Sequence, residues 1–380
     1  AEAFHGGAFT TFLVRQLWRA PSDATYEKVF TDVREALKRN RFQQNPLLAE
    51  VAMKSSPLFF IEGGVANVAD ASLPIRSVTG DVAELGGGVT LGITSGSIFE
   101  TEGGARLAVE SVTQSGSTAR VTAGSVKVGD NARLVAHRFA TDPLRVNVAG
   151  VDSESAAALA EALGESRDVV LVPEEDAFSH LLLRRRGNEL RVVGSDGFVR
   201  HDGLTLGRPG AAELAGRLRQ EAAAKRLADM ENPAQSFGVD IFLEGGKTAF
   251  GIGETVSFHA TSEQAGYLTL VDLGTDGKVV MLFPNAHQPA MKIEAGQTLS
   301  FPSEEMGFEL QIFPPVGRGM VRAFVTPEPL DLPVEGEYTE GDERFAAAIA
   351  AAVMRAAGAM GGAVRLDSWA TASLVYDIHN

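Results

Sequence analysis

The sequence contains no cysteine in 380 residues. This excludes disulfides, thiolate metal sites and any cysteine nucleophile within the chain, and it suits a reducing and an oxidising compartment equally well. Aromatic rings of the polar kind are scarce, with two Trp and four Tyr. Long apolar runs are also missing: the best is Phe345 to Met354, ten residues before Arg355 interrupts it, too short to cross a bilayer. Basic residues are outnumbered 34 to 49, giving a net charge of −15, the wrong field for a phosphate backbone. Nucleic acid is therefore not an expected partner. What is abundant is apolar material, 44% of the chain, enough for two to four cores.

The chain reads as a multidomain α+β protein. In residues 1–61, Phe4, Gly6, Gly7 and Phe9 make an unusually apolar, turn-rich start, and Phe9, Phe12, Leu13 and Leu17 fall at helical spacing. Pro21-Ser22-Asp23 breaks the chain. Thr25 then caps a second helix with Glu27 in its first turn and Tyr26, Val29, Phe30, Val33 and Leu37 on one stripe. Two amphipathic helices need a sheet to bury against, and the expectation is that it lies upstream of Ala1.

Residues 62–88 are rich in Gly, Ala, Ser and Asp and read as a linker. From 89 to 140 short alternating runs (Val89 to Phe99, Arg106 to Val112, Ala119 to Val121, Ala132 to Ala136) predict a small β-barrel. Residues 143–232 predict a small α/β unit. Its strands are Leu144 to Val148 and Val169 to Val172, its first helix is capped by Ser153 or Ser155, a hairpin turns at Gly187-Asn188, and a helix runs from Ala211 to Met230. Residues 236–335 carry six or seven strand signals and predict a β-sandwich of the immunoglobulin type, followed over 341–380 by a helix (Phe345, Ile349, Val353) and a terminal strand anchored by Trp369 and Tyr376.

Catalytic signatures are sparse. Seven His, at 5, 137, 180, 201, 259, 287 and 379, form no close ligand pair, so neither a metal nor another cofactor is expected. Gly246-Lys247-Thr248 lacks the upstream glycine of a phosphate loop, and Gly86 and Gly88 lack their third glycine, since Leu91 stands there. Arg184-Arg185-Arg186 reads as a solvated hairpin tip.

Two stretches resemble known families. Ala1-Glu2, then Gly7-Ala8-Phe9-Thr10, then Thr25-Tyr26-Glu27-Lys28-Val29, then Gln44-Asn45-Pro46 and Pro57-Leu58-Phe59-Phe60 follow in the order found in the small-subunit half of bacterial caspase-like (metacaspase or orthocaspase) cysteine peptidases. The resemblance implies that 1–61 closes a caspase-like α/β catalytic domain acting on a protein or peptide substrate. It also implies that the catalytic His and Cys belong to the preceding half of that domain, so no catalytic residue is expected here. Glu2 would line the specificity pocket and favour Arg or Lys before the cut, or else be a solvated loop residue; His5 is read as a loop histidine. Further on, Gly266-Tyr267-Leu268-Thr269-Leu270, Phe283-Pro284-Asn285, Gly296-Gln297-Thr298-Leu299 and Phe301-Pro302 resemble an uncharacterised sandwich domain often found downstream of bacterial caspase-like or kinase domains. The expectation is the C-terminal portion of a caspase-like endopeptidase with accessory domains for substrate or partner binding or regulation. The alternative is a non-enzymatic binding or scaffolding protein built of β domains.

Overall fold

A computed structural model describes residues 7–19, 25–39, 42, 44–46, 72–138, 143–173, 179–232, 235–289, 292–332, 339–358 and 364–380. They group into two compact units, one comprising the chain to 140 with 232–236 and 357–369, the other comprising 141–231, 237–356 and 370–380.

In the first unit, helix α1 (Ala8–Arg19) opens with the Thr11 amide donating to the Gly7 carbonyl, and α2 (Tyr26–Arg39) opens with the Lys28 amide donating to Thr25 Oγ1 at 3.2 Å, as a Thr cap requires. Phe12 packs against the Val29, Val33, Ala36 and Leu37 stripe. Six strands, β1 (Ser72–Thr79), β2 (Val82–Leu85), β3 (Ile98–Thr101), β4 (Arg106–Val112), β5 (Ser117–Ala123) and β6 (Asn131–His137), pair in the order β1-β2-β5-β4-β3-β6. Pairing of Ser72–Pro74 with Asn131–Arg133 closes the ring into a small barrel. Inward residues alternate along each strand, and small ones (Ala83, Ala119, Ala132) sit among Leu73, Ile75, Phe99 and Leu107, which fills so narrow an interior.

Two expectations change here. The described part of the expected linker 62–88 supplies the first two barrel strands: Pro74 masked β1, although it is exposed near the start of its strand, where a missing amide costs little. Val89–Leu91, expected as strand, is a 3₁₀ turn. Gly88 lies so close to the chain at Thr113 that an added Cβ would sit 2.2 Å from that carbonyl oxygen, and Gly92 has φ +80°.

The second unit begins with a five-stranded mixed sheet. Strands β7 (Leu144–Asn147) and β8 (Val169–Val172) flank α3 (Ser153–Leu163); β9 (Leu181–Arg186), β10 (Glu189–Gly194) and β11 (Val199–Thr205) form a meander before α4 (Ala211–Asp229). The order is β11-β10-β9-β7-β8, with β7 parallel to both its neighbours. Leu159 and Leu163 of α3 and Leu214, Ala215 and Leu218 of α4 cover the sheet. The cap of α3 is Asp152, not Ser153 or Ser155: its carboxylate accepts from the Ser155 amide at 2.9 Å, which holds Asp152 below the usual carboxylate range.

Beyond it lie β12 (Val239–Leu243), β13 (Ala249–Gly251), β14 (Thr255–Val256), β15 (Phe258–Ser262), β16 (Gly266–Leu273), β17 (Val279–Phe283), β18 (Lys292–Ile293), β19 (Thr298–Phe301), β20 (Leu310–Gln311), β21 (Gly317–Thr326), β22 (Thr339–Gly341) and α5 (Glu343–Ala356). They are followed by β23 (Val364–Arg365), which adds to β6 of the barrel, and β24 (Ala370–His379). One sheet runs β13-β24-β21-β16-β17-β22 and a second runs β12-β15-β19. Ile241, Phe258 and Phe301 of the second share a core with Leu270, Val321, Ala323 and Ile378 of the first. The larger sheet departs from the immunoglobulin pattern in its parallel β13/β24 pair and in carrying α4 and α5 against β21 on its other face. The terminal strand is therefore internal to the sheet rather than an appendage. Among the described residues no helix is long and apolar enough to cross a membrane.

Candidate functional site

Glu2 and His5 lie outside the described residues, as does the segment 57–60. Among the described residues no group of three His, Asp or Glu is disposed to hold a metal ion. Among the described residues, the polar chemistry that the fold concentrates lies in the second unit.

It is built from two turns of the same design. Gly194-Ser195-Asp196-Gly197 joins β10 to β11, and Gly274-Thr275-Asp276-Gly277 joins β16 to β17. In each, the first glycine amide donates to the carbonyl four residues on (Phe198, Lys278), and the last glycine amide donates back to the first glycine. In each, the aspartate Oδ1 accepts an amide two residues ahead, at 3.2 Å, and the last glycine has positive φ, +85° and +77°. The two turns meet through Arg200. Its guanidinium is paired with Asp196 at 2.6 Å and donates across to the Thr275 carbonyl at 2.9 Å and the Arg318 carbonyl at 3.1 Å. Both partners of this ion pair are almost wholly buried, at 2% and 1% exposure, and the additional carbonyl acceptors offset part of the cost of taking the guanidinium out of water. Gly194 makes room, since a Cβ there would lie 2.4 Å from Asp196 Oδ1. Thr275 is fixed in turn by its hydroxyl donating to the Pro315 carbonyl.

Behind Arg200, the buried His201 places Nε2 3.3 Å from Oε1 of Glu221, which is itself fully buried on α4. Gly277 lies against that carboxylate: an added Cβ would fall 2.8 Å from Glu221 Cδ. On the core side of the same hairpin, Tyr376 of β24 reaches over β21 to donate its hydroxyl to Asp272 Oδ1 at 2.9 Å. The space for its ring is the missing side chain of Gly319, directly opposite Tyr376 in register, where a Cβ would meet the ring at 2.5 Å. Burial raises the Asp272 carboxyl to about 7 against the smaller opposing effect of the Tyr376 hydrogen bond, with the nearby Asp276 charge adding to the rise. The same burial, together with the Asp272 charge, raises the Tyr376 phenol.

Two other buried polar residues are structural. Asn285 donates to the Leu282 carbonyl and accepts from the His287 and Gln288 amides, so its amide group is spent on closing its own loop, as expected of a turn residue. Arg322, fully buried on the helix-facing side of β21, donates to the Met230 carbonyl at the end of α4 and to Thr371 Oγ1, with its guanidinium 5.4 Å from the Phe324 ring. A cation is favourable at a helix C-terminus, and here it ties α4 to the sheet.

In this cluster the charged groups are turned on one another and on backbone carbonyls. That arrangement is the chemistry of a joint between packed elements. Sequence reading missed it because β11 was not recognised. The one available signal was the repeated Gly-Ser/Thr-Asp-Gly tetrapeptide at 194 and 274.

Residues 249–329 match the family described as a Domain of unknown function, DUF4384. No curated protein matches the chain. The matched stretch runs from β13 to just past β21, and so contains the second turn, Asp272 and Asn285.

Proposed function

We propose that this chain is the C-terminal portion of a bacterial caspase-like cysteine endopeptidase. In this reading residues 1–61 close the catalytic domain, and the remainder, including the DUF4384 domain, is an accessory body that binds substrate or partner or restrains the protease. The observation that carries the proposal is a convergence of three of the five stretches that resemble that family. Gly7 starts α1 through its carbonyl, and Thr25 caps α2. Gln44 of the Gln-Asn-Pro turn returns to α1, its Oε1 accepting from the Phe9 amide at 3.2 Å, while Phe42 packs edge-on to Phe12 at 6.1 Å. A hydrogen bond thus joins stretches thirty-five residues apart in sequence, which supports their belonging to one domain.

On this reading the chain contributes pocket walls, Glu2 among them, and partner surfaces. The thiolate and the imidazole come from the other half of the catalytic domain, because a chain with no cysteine cannot supply the nucleophile. The coding sequence immediately upstream of Ala1 tests this. A continuous frame with one strand ending in His-Gly and another ending in Asp-x-Cys is the expected result; a frame with neither overturns the proposal. One observation favours the alternative of a non-enzymatic scaffold: the buried polar cluster of the second unit serves packing. A whole protein without thiol-dependent cleavage would select it.

A further inference from the structure

Among the described residues, the mixed sheet of the second unit carries helices on one face only. Its inward residues, Val146, Leu183 and Val192 among them, share a core with Leu159 of α3 and with Leu214 and Leu218 of α4. Strand alternation turns the residues between them to the opposite face, where Leu182 stands opposite Val193 and Arg184 opposite Arg191. Leu182 and Val193 are half-buried, and Val170 of the edge strand β8 is 38% exposed, so an apolar strip runs across this face. Strand β7 is parallel to both its neighbours, and parallel strands ordinarily have both faces covered by helices. The strip thus lies where a second helical layer would pack. The charge of the face is opposite to that of the chain. Arg145, Arg184, Arg186 and Arg191 stand on it against Glu189 and Asp202, in a chain of net charge −15. Asp202 is already engaged, by Arg191 at 2.6 Å and Arg186 at 3.7 Å. Arg184 is exposed, has no ion-pair partner among the described residues, and faces the like charge of Arg191 directly across the ladder, an arrangement that an arriving carboxylate relieves.

We propose that this face is a docking surface for an acidic amphipathic helix of a partner protein. The apolar stripe of that helix covers Leu182, Val193 and Val170, much as α3 and α4 cover the other face, and its flanking carboxylates pair with Arg184 and Arg145. Charge complementarity selects this occupant. Guanidinium groups beside aliphatic side chains suit a carboxylate-bearing apolar partner, since the planar fork pairs with both carboxylate oxygens while the stem packs. A second copy docked through the same face would set one row of arginines against another, because a two-fold contact pairs a patch with itself. The surface gives partner binding by the accessory body a definite place, and it stands apart from the proteolytic reading, since its test reads no cleavage.

Fluorescence anisotropy of a labelled synthetic helix titrated with the intact chain tests the surface. The probe is about five turns long, with Leu at helical spacing and Glu on both flanks, and companion peptides carry Gln or Lys for Glu, or Ser for Leu. The Glu helix is expected to bind about tenfold more tightly than the Gln and Ser versions and to lose affinity as salt rises. Arg184→Glu, at an exposed position, should weaken the Glu helix by about tenfold and turn the preference to the Lys helix, whereas Arg106→Glu on the barrel should change neither. Failure of the Glu helix to bind, equal binding of the Glu and Gln versions, or an equal effect of Arg106→Glu and Arg184→Glu would overturn the proposal. A dimer in light scattering that Arg184→Glu dissociates would assign the face to a second copy and overturn it likewise.

Discussion

At the scale of the residue, the polar side chains in the core of the second unit matter because they are few and each has a task. Asp272 carries a direct consequence for stability. Its folded carboxyl sits at about 7, above the ordinary 3.8, so the folded state holds the proton more tightly than the unfolded chain does. The resulting penalty is absent below the ordinary value, grows as pH rises between the two, and is complete above about 7. Asp272→Asn should therefore raise Tm by about 2–4 °C at pH 8 and leave it unchanged at pH 4, as differential scanning fluorimetry can check. Asn285→Ala should cost about 1 kcal/mol in denaturant unfolding, because the buried Leu282 carbonyl and the His287 amide lose the Asn285 side chain, whereas the Gln288 amide keeps the Asn285 carbonyl. Arg200→Ala should cost about 3–5 kcal/mol, most of it from leaving Asp196 buried with its charge uncompensated.

At the scale of the element, strands 255–326 and the hairpin at Gly187-Asn188 were legible because their apolar residues alternate or their turns carry glycine. Strand β11 was not. Its Val199-Arg200-His201-Asp202 run has no hydrophobic period, since Arg200 and His201 are buried by pairing with Asp196 and Glu221 rather than by apolarity. The partners lie four residues away in one case and on a distant helix in the other, a relation that hydropathy does not encode. Strand β1 was hidden by Pro74. The terminal strand was legible as a strand, but its place was not: β24 lies some forty residues beyond the DUF4384 match and yet stands between β13 and β21. A protein cut after residue 369 should therefore lose the cooperative unfolding transition of this region and expose its core to dye. A truncated form that unfolds as cooperatively as the full chain would show that β24 is dispensable. Gly277→Ala should destabilise by more than about 1 kcal/mol, because the position needs positive φ and adjoins the Glu221 carboxylate.

At the scale of the whole molecule, the chain is multidomain and rich in strand, with a small six-stranded barrel and several further sheets, and residues 249–329 match DUF4384. The candidate site was less legible than the fold. The resemblance pointed to Glu2, outside the described residues, whereas the folded chain concentrates its buried charge where two copies of one turn meet. The proposal that joins these parts is proteolysis by a larger protein of which this chain is the C-terminal portion. It is tested most directly by incubating the whole gene product with a fluorogenic peptide library, with and without thiol alkylation. The account predicts alkylation-sensitive cleavage after Arg or Lys; cleavage after Asp would contradict the role given to Glu2, and no alkylation-sensitive cleavage at all would contradict the caspase-like reading itself.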